Sequence, residues 1–462
     1  MINRTPKVLA LPDVATLLVV FVIYTNLAVL GVKFHNLPGV VAILVPMLLM
    51  LPLIYHVIIR REKIVMPSSM PWLVLFMSVL MISTLFSRDV SAAFSELVTY
   101  FTEGLALYIL LVNVVRTSKM LRLVIWALLL AGIVLGGVPL YQQFTGTIDN
   151  NYGGLGQTSL ASFRTGEESL QGDVRQVRLA GAIGEMNRFA QVMLMLVPLG
   201  LFRFYAESSR LLRILALLST ALAGAGMVLA FSRGAAVAFA LLIVLMVFLK
   251  VIKPVQLLGF VAVAGLLLVA VPQYATRLVS LPSLTALITG EPAPGETTAP
   301  DGAIQGRLTE MLAAAQVYAD HPVVGVGPGM FPYYTREYSL DLGMRYITTN
   351  RAAHSLYLGL AAESGTVGLL FFMLMLLATF RDLLRVRHES QGRRPDLENI
   401  ATSFILALLV YLTTGLFLHL SYMRYFWIMF ALASAAGFVG KQELGLTTQR
   451  TVQNTIAYEK VQ

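Results

Sequence analysis

Runs of about twenty apolar residues, parted by short polar segments, recur along most of this sequence. Roughly 17–25 apolar residues cross a hydrocarbon core as a helix, so each run is a candidate span. The spacing predicts about twelve of them, near residues 14–33, 38–59, 70–86, 97–115, 120–140, 187–206, 211–231, 234–250, 255–272, 355–380, 399–420 and 422–440. Of the 462 residues 57% are hydrophobic and 13% charged, and the mean hydropathy is +0.75. That is more apolar surface than a soluble fold of this length buries. The expected fold class is an all-α polytopic membrane protein.

Orientation follows from the basic residues. Arg4, Lys7, Arg60, Arg61, Lys63, Arg116, Lys119, Arg122, Arg203, Arg210, Arg213, Lys250 and Lys253 fall in one alternate set of segments. Arg381, Arg385, Arg387, Arg393, Arg394, Lys441, Arg450 and Lys460 continue that set. The segments are short, and the positive-inside rule places them, with both termini, in the cytoplasm. That rule accounts for the net charge of +9 better than nucleic-acid binding does. The N-terminal MINRTPKVLALPD lacks a cleavable signal pattern. There are no cysteines, which excludes disulfides and thiolate chemistry.

The expected organisation is five spans within 1–140, an outward loop at 141–186, and spans six to nine within 187–272. A large, partly helical outward loop fills 273–353, spans ten to twelve lie within 354–440, and a cytoplasmic tail occupies 441–462. Within the large loop, 281–303 is rich in Pro, Thr and Gly and reads as a tether. RLTEMLAAAQVYA, from Arg307, reads as an amphipathic helix with Leu308, Met311, Leu312 and Ala315 on one face.

The outward segments hold the remaining 13 basic residues, and all but Lys33 are arginine. Arginine stays charged when partly desolvated and grips phosphate with two donors. Such residues either hold an anionic substrate or pair with loop carboxylates such as Glu185 and Glu310. In LAFSRGAAVAF (229–239) Arg233 sits where spans seven and eight meet with almost no loop. A charge at the membrane edge is costly and points to function, although snorkelling would also place it there. In HPVVGVGPGMF (321–331) the glycines follow no strand–turn–helix pattern, so a structural turn fits better than a phosphate loop. His354, at the mouth of span ten, is a candidate general base. Helical spacing would put Arg351 one turn before it and Tyr357 one turn after, with Glu363 inside the apolar run. Glu363 would either meet substrate or orient an arginine or loop amide, and His419 and Arg424 flank a neighbouring outward turn. No paired-histidine motif or acidic cluster suggests a metal or any other cofactor.

These pieces, in this order, resemble the O-antigen ligase and polymerase superfamily of bacterial membrane glycosyltransferases. The resemblance runs over about 175–370: RLAGAIGEMNRFA with Arg178, Asn187 and Ala190, then FSRGA with Arg233, then Arg307 ahead of HPVVGVGPGMF, then AHSLYLGLAAESGTVGLL. The family more often has Asn after the histidine, where this chain has Ser355. It implies a GT-C-like membrane fold of the bacterial inner membrane with its site facing the periplasm. It also implies metal-independent glycan transfer from an undecaprenyl-diphosphate donor. Arg233, with Arg178 and Arg307, would hold the diphosphate, with Arg188, Arg351 and Arg424 as further candidates, and His354 would serve as base. Tyr357, Glu363 and Asn187 would support them. The acceptor would be lipid A–core in a ligase, another lipid-linked repeat in a polymerase, or a protein hydroxyl. A secondary transporter or lipid flippase of twelve spans is the alternative of another class, in which Arg233 and His354 would lie at the midplane.

Overall fold

The computed structural model describes residues 10–163, 174–252, 302–342, 349–421 and 423–446. Among them are sixteen α-helices and one two-stranded hairpin. Eight helical segments are long and apolar enough to cross a membrane, or nine when a bent pair counts as one span. Two of the expected spans form helices of only 16 residues each, Met70–Leu85 and Arg233–Phe248. At 1.5 Å per residue these reach about 24 Å, short of a hydrocarbon core of about 30 Å. The expected span at 255–272, the tether at 281–303 and both chain ends lie outside the described residues.

The first span is broken. Helices α1 (Leu11–Tyr24) and α2 (Leu27–Phe34) meet at 53°. The break has a local cause, because Asn26 takes a left-handed φ of 63° and its amide donates to the Ala182 carbonyl at 2.9 Å. The second span runs through α3 (Val40–Met47) and α4 (Met50–Ile54) and ends in a π-turn. After α5 (Met70–Leu85), α6 (Val90–Thr99) continues through a π-turn at Tyr100–Ala106 into α7 (Leu107–Val114). A long helix, α8 (Ser118–Thr145), leads to strands β1 (Gln157–Phe163) and β2 (Val174–Gly181). This antiparallel hairpin corrects the all-α expectation.

The bundle closes with α9 (Met186–Ala206), α10 (Arg210–Leu229), α11 (Arg233–Phe248), α12 (Gly302–Asp320), α13 (Phe331–Asp341), α14 (Leu356–Ser390), α15 (Pro395–Thr414) and α16 (Met423–Glu443). Helices α9 and α16 run through the core, with Phe189, Met193 and Leu196 on one and Phe426, Trp427 and Phe430 on the other fully buried. At one end, Glu443 receives the Ser118 amide and the Arg394 guanidinium. Arg122, Arg203 and the Trp126 indole close on the buried Glu207 carboxylate there, and Lys441 pairs with Asp382. Each cation in these pairs belongs to the set expected to face the cytoplasm. The opposite end carries the hairpin and helices α12 and α13.

A second, smaller core lies at that opposite end. Ala313, Ala314 and Val317 of α12 pack against Val326, Met330, Phe331, Tyr334, Ala353 and Ala362. The buried face of α12 therefore runs through Thr309, Glu310, Ala313, Ala314 and Val317, and Leu312, on the apolar face, is 38% exposed. Two small alanines let α12 approach α14 closely, and the same face turns a carboxylate inward.

Candidate active site

Three helix starts converge on the connection between α15 and α16. The amide of Leu356, first residue of α14, donates to the Gly415 carbonyl at 2.7 Å. At the start of α11, a Cβ added to Gly234 would lie 3.2 Å from the Phe417 ring. Arg188, near the start of α9, donates from its guanidinium to the His419 carbonyl. Helix starts carry partial positive charge from aligned peptide dipoles, so this end of the bundle favours anions before any side chain is counted. Side chains fix each start: Glu185 accepts the Asn187 and Arg188 amides, Ser232 accepts that of Ala235, and Ser355 accepts that of Leu358. Ser and Asn cap helices about equally well, which gives a physical reason for Ser355 where the family more often has Asn.

The Arg233 turn is braced from the hairpin. Arg178, on β2 and 7% exposed, donates from Nε to the Ala230 carbonyl at 2.8 Å. One of its terminal nitrogens reaches the Phe231 carbonyl and Asn187 Oδ1, both at 3.1 Å. Phe231 holds a φ of 49°, an unusual conformation for a bulky residue, and the Arg178 bonds hold its flanking carbonyls in place. Arg178 and Arg188 thus brace the backbone around the Arg233 turn and the α15–α16 connection. Asn187 links the two, donating to Glu185 at 3.0 Å. Arg233, half-buried, opens α11 beside them.

His354 lies outside any helix, correcting the expectation that Arg351 and Tyr357 flank it at helical spacing. Its φ is 47°, and α14 begins two residues later. Its Nε2 is 3.3 Å from Glu310 Oε2, and the Arg351 guanidinium meets the other oxygen of Glu310 at 3.2 Å. The ring packs edge-on against His419, 5.8 Å between centroids. Burial, and then the guanidinium groups of Arg307, Arg188 and Arg351, lower its pKa from 6.5 to about 4. Glu310 pulls the other way, but burial and three cations outweigh it, so the imidazole is neutral near pH 7 and able to accept a proton. His419 is pushed down as well, by burial and then by Arg188 and His354. Glu310 was expected only as one of several loop carboxylates. Its signal in the sequence is the three-residue spacing from Arg307, which puts both on one side of α12.

The remaining candidates lie around this cluster. Tyr357 donates to the Leu412 carbonyl at 2.8 Å and ties α14 to α15. Glu363 accepts the backbone amides of Gly329 and Phe331, the loop-amide role among those expected. HPVVGVGPGMF is accordingly a clasp on α14: Val326 and Gly327 donate to the Ala362 and Glu363 carbonyls at 3.0 Å each, and Thr366 donates back to Pro322 at 2.7 Å. Arg424 points elsewhere, to Glu103 of the π-turn at 2.6 Å and to Asn26 Oδ1 at 3.3 Å. These three residues share a cavity of about 120 Å³ with Val22, Val29 and Ile43. Among the described residues, no three His, Asp or Glu side chains converge in a way that would hold a metal ion.

Residues 218–373 match the family described as O-antigen ligase (Wzy_C). That match spans about a third of the chain. The match agrees with the resemblance carried by the order of the motifs. The matched segment contains Arg233, Arg307, Glu310, Arg351, His354, Tyr357 and Glu363. No curated protein matches the chain. The family is one of glycosyltransferase-type enzymes of ligase or polymerase kind, acting in a membrane on lipid-linked glycans.

Proposed function

We propose that this protein is an O-antigen ligase, transferring a polysaccharide from undecaprenyl diphosphate to lipid A–core on the periplasmic face of the inner membrane. The observation that carries this reading is the gathering of a neutral His354 with Arg307, Arg188 and Arg351 at one end of the bundle. That is the arrangement needed to take a proton from a hydroxyl while holding a departing diphosphate. The acceptor oxygen attacks the anomeric carbon, its proton passes to the imidazole, and the carbon–oxygen bond to the diphosphate breaks. The electron pair leaves on the diphosphate, where fixed guanidinium charges stabilise it. Arg233 and Arg307 are the donor-binding groups in this scheme. The energy of transfer lies in the sugar–diphosphate bond, so no nucleotide is required, and the guanidinium groups supply the positive charge that a metal would otherwise bring to the leaving diphosphate.

The test supplies purified protein with undecaprenyl-diphosphate glycan, with and without lipid A–core. Glycan appearing on lipid A–core, with no lengthening of the lipid-linked chains, supports the ligase. Lengthening without any core acceptor makes the protein a polymerase instead. No transfer to either acceptor overturns the reading and favours transport.

A further inference from the structure

Three cations surround the candidate base, and each opposes the charge that the base must acquire. His354 faces Arg307 on α12, Arg351 on its own strand of chain, Arg188 on α9, and the His419 ring from the α15–α16 connection. An imidazole so placed is a poor proton acceptor unless something stabilises the imidazolium as it forms. One carboxylate contacts the ring among the described residues. Glu310 Oε2 stands 3.3 Å from Nε2, on a side chain that is 1% exposed, and makes no hydrogen bond to the ring in this geometry, so the pair meets as electrostatic neighbours. Its other oxygen is held by Arg351, and its helix is locked by Ala313, Ala314 and Val317 in the small core. Glu310 is therefore fixed from two sides before substrate arrives. The opposite ring nitrogen, Nδ1, is buried and makes no hydrogen bond within the protein. Buried polar atoms are nearly always paired, so an open one in a site calls for a partner.

We infer that Glu310 is the positioning residue of His354: it stands against Nε2 and offsets the imidazolium charge as it forms, leaving Nδ1 to take the acceptor's proton. This rests on the ligase or polymerase reading of the site. The proton moves from the acceptor hydroxyl to Nδ1 as the new carbon–oxygen bond forms. Glu310 stays ionised throughout and exchanges no proton. Its partner Arg351 prevents the carboxylate from turning away from the ring.

The test compares Glu310→Gln, Glu310→Asp and His354→Ala with the intact protein in the transfer assay, across pH. Glu310→Gln keeps the shape and the Arg351 contact but loses the charge. It should lower kcat roughly a hundredfold, the scale of general-base catalysis, with little change in the donor KM. It should also move the acid limb of the rate profile to lower pH, because the ring becomes harder to protonate. Glu310→Asp should restore part of kcat. A Glu310→Gln protein with unaltered kcat and acid limb, beside an inactive His354→Ala protein, overturns the inference and leaves the site reading intact. A Glu310→Gln protein that is merely less stable, with an unshifted acid limb, makes Glu310 a structural partner of Arg351 and also overturns it. Transfer surviving in His354→Ala overturns the site reading itself.

Discussion

Replacing Gly365 by alanine should detach the clasp from α14 without touching a charged residue. Gly365 sits inside α14 with φ 66° and ψ −170°, a conformation that essentially only glycine adopts. Holding alanine there costs about 1–3 kcal/mol in backbone strain alone. The new Cβ would also lie 2.2 Å from the Val323 carbonyl oxygen, 2.3 Å from its carbon and 2.5 Å from the Val324 nitrogen. All three are backbone atoms, so relief requires the clasp to lift. Lifting removes the bonds from Val326 to Ala362, from Gly327 to Glu363, and from Thr366 to Pro322. Strain and overlap together should weaken the clasp by about 3 kcal/mol, which at 1.4 kcal/mol per decade raises its open population roughly a hundredfold. Hydrogen exchange read by mass spectrometry over 321–330 reports that population. Gly224→Ala is the control, since a Cβ there meets nothing within 4 Å. Exchange in Gly365→Ala equal to that of the intact protein would refute the account of how this loop is held. Transfer activity should fall with the clasp, because α12 carries Arg307 and Glu310 and packs against the same loop.

Further outcomes follow from the same geometry. With its pKa lowered to about 4 by burial and then by three arginines, His354 stays neutral down to mildly acid pH, so kcat/KM should be flat from pH 8 to 6 and fall only below about 5. Unfolding returns the ring to about 6.5, so it takes up a proton on unfolding; in urea titrations its contribution to stability should therefore be lost as pH falls from 6.5 towards 4. Arg178→Lys cannot reach the Ala230 and Phe231 carbonyls and Asn187 together, and should cost about 2 kcal/mol in thermal unfolding through lost charge-assisted bonds. An unchanged melting temperature would contradict the bracing role. Glu103→Gln leaves Arg424 without its carboxylate at the break in the first span; because both side chains are partly exposed, destabilisation should be only about 1 kcal/mol, with transfer retained.

Much of the bundle was legible because apolar length is itself the constraint on a membrane helix. Helices occupy eleven of the twelve expected positions, and the twelfth lies outside the described residues. The irregular places were not legible, since their causes are long-range. The break at Asn26 depends on Ala182, and the kink at Gly365 depends on Val323, neither of which is near in sequence. The arginines were visible as charges placed outward against the topological bias, but their roles were not. Arg178 and Arg188 spend their donors on carbonyls, and only folding brings those carbonyls within reach. His354 stood out as an imidazole at a span mouth, and the resemblance to the superfamily gave it a role. Glu310 was hidden for the opposite reason: a carboxylate on an apparently amphipathic helix reads as a solvated face.

The central claim is that glycan transfer runs through His354 and Arg233 at the end of the bundle that carries the hairpin. The direct measurement is single-turnover transfer from undecaprenyl-diphosphate glycan to lipid A–core by intact protein, His354→Ala and Arg233→Ala, each first shown to be folded by its thermal unfolding. The account predicts glycosylated lipid A–core from the intact protein and at least a hundredfold slower transfer in each variant. Folded variants that transfer at the rate of the intact protein would contradict it.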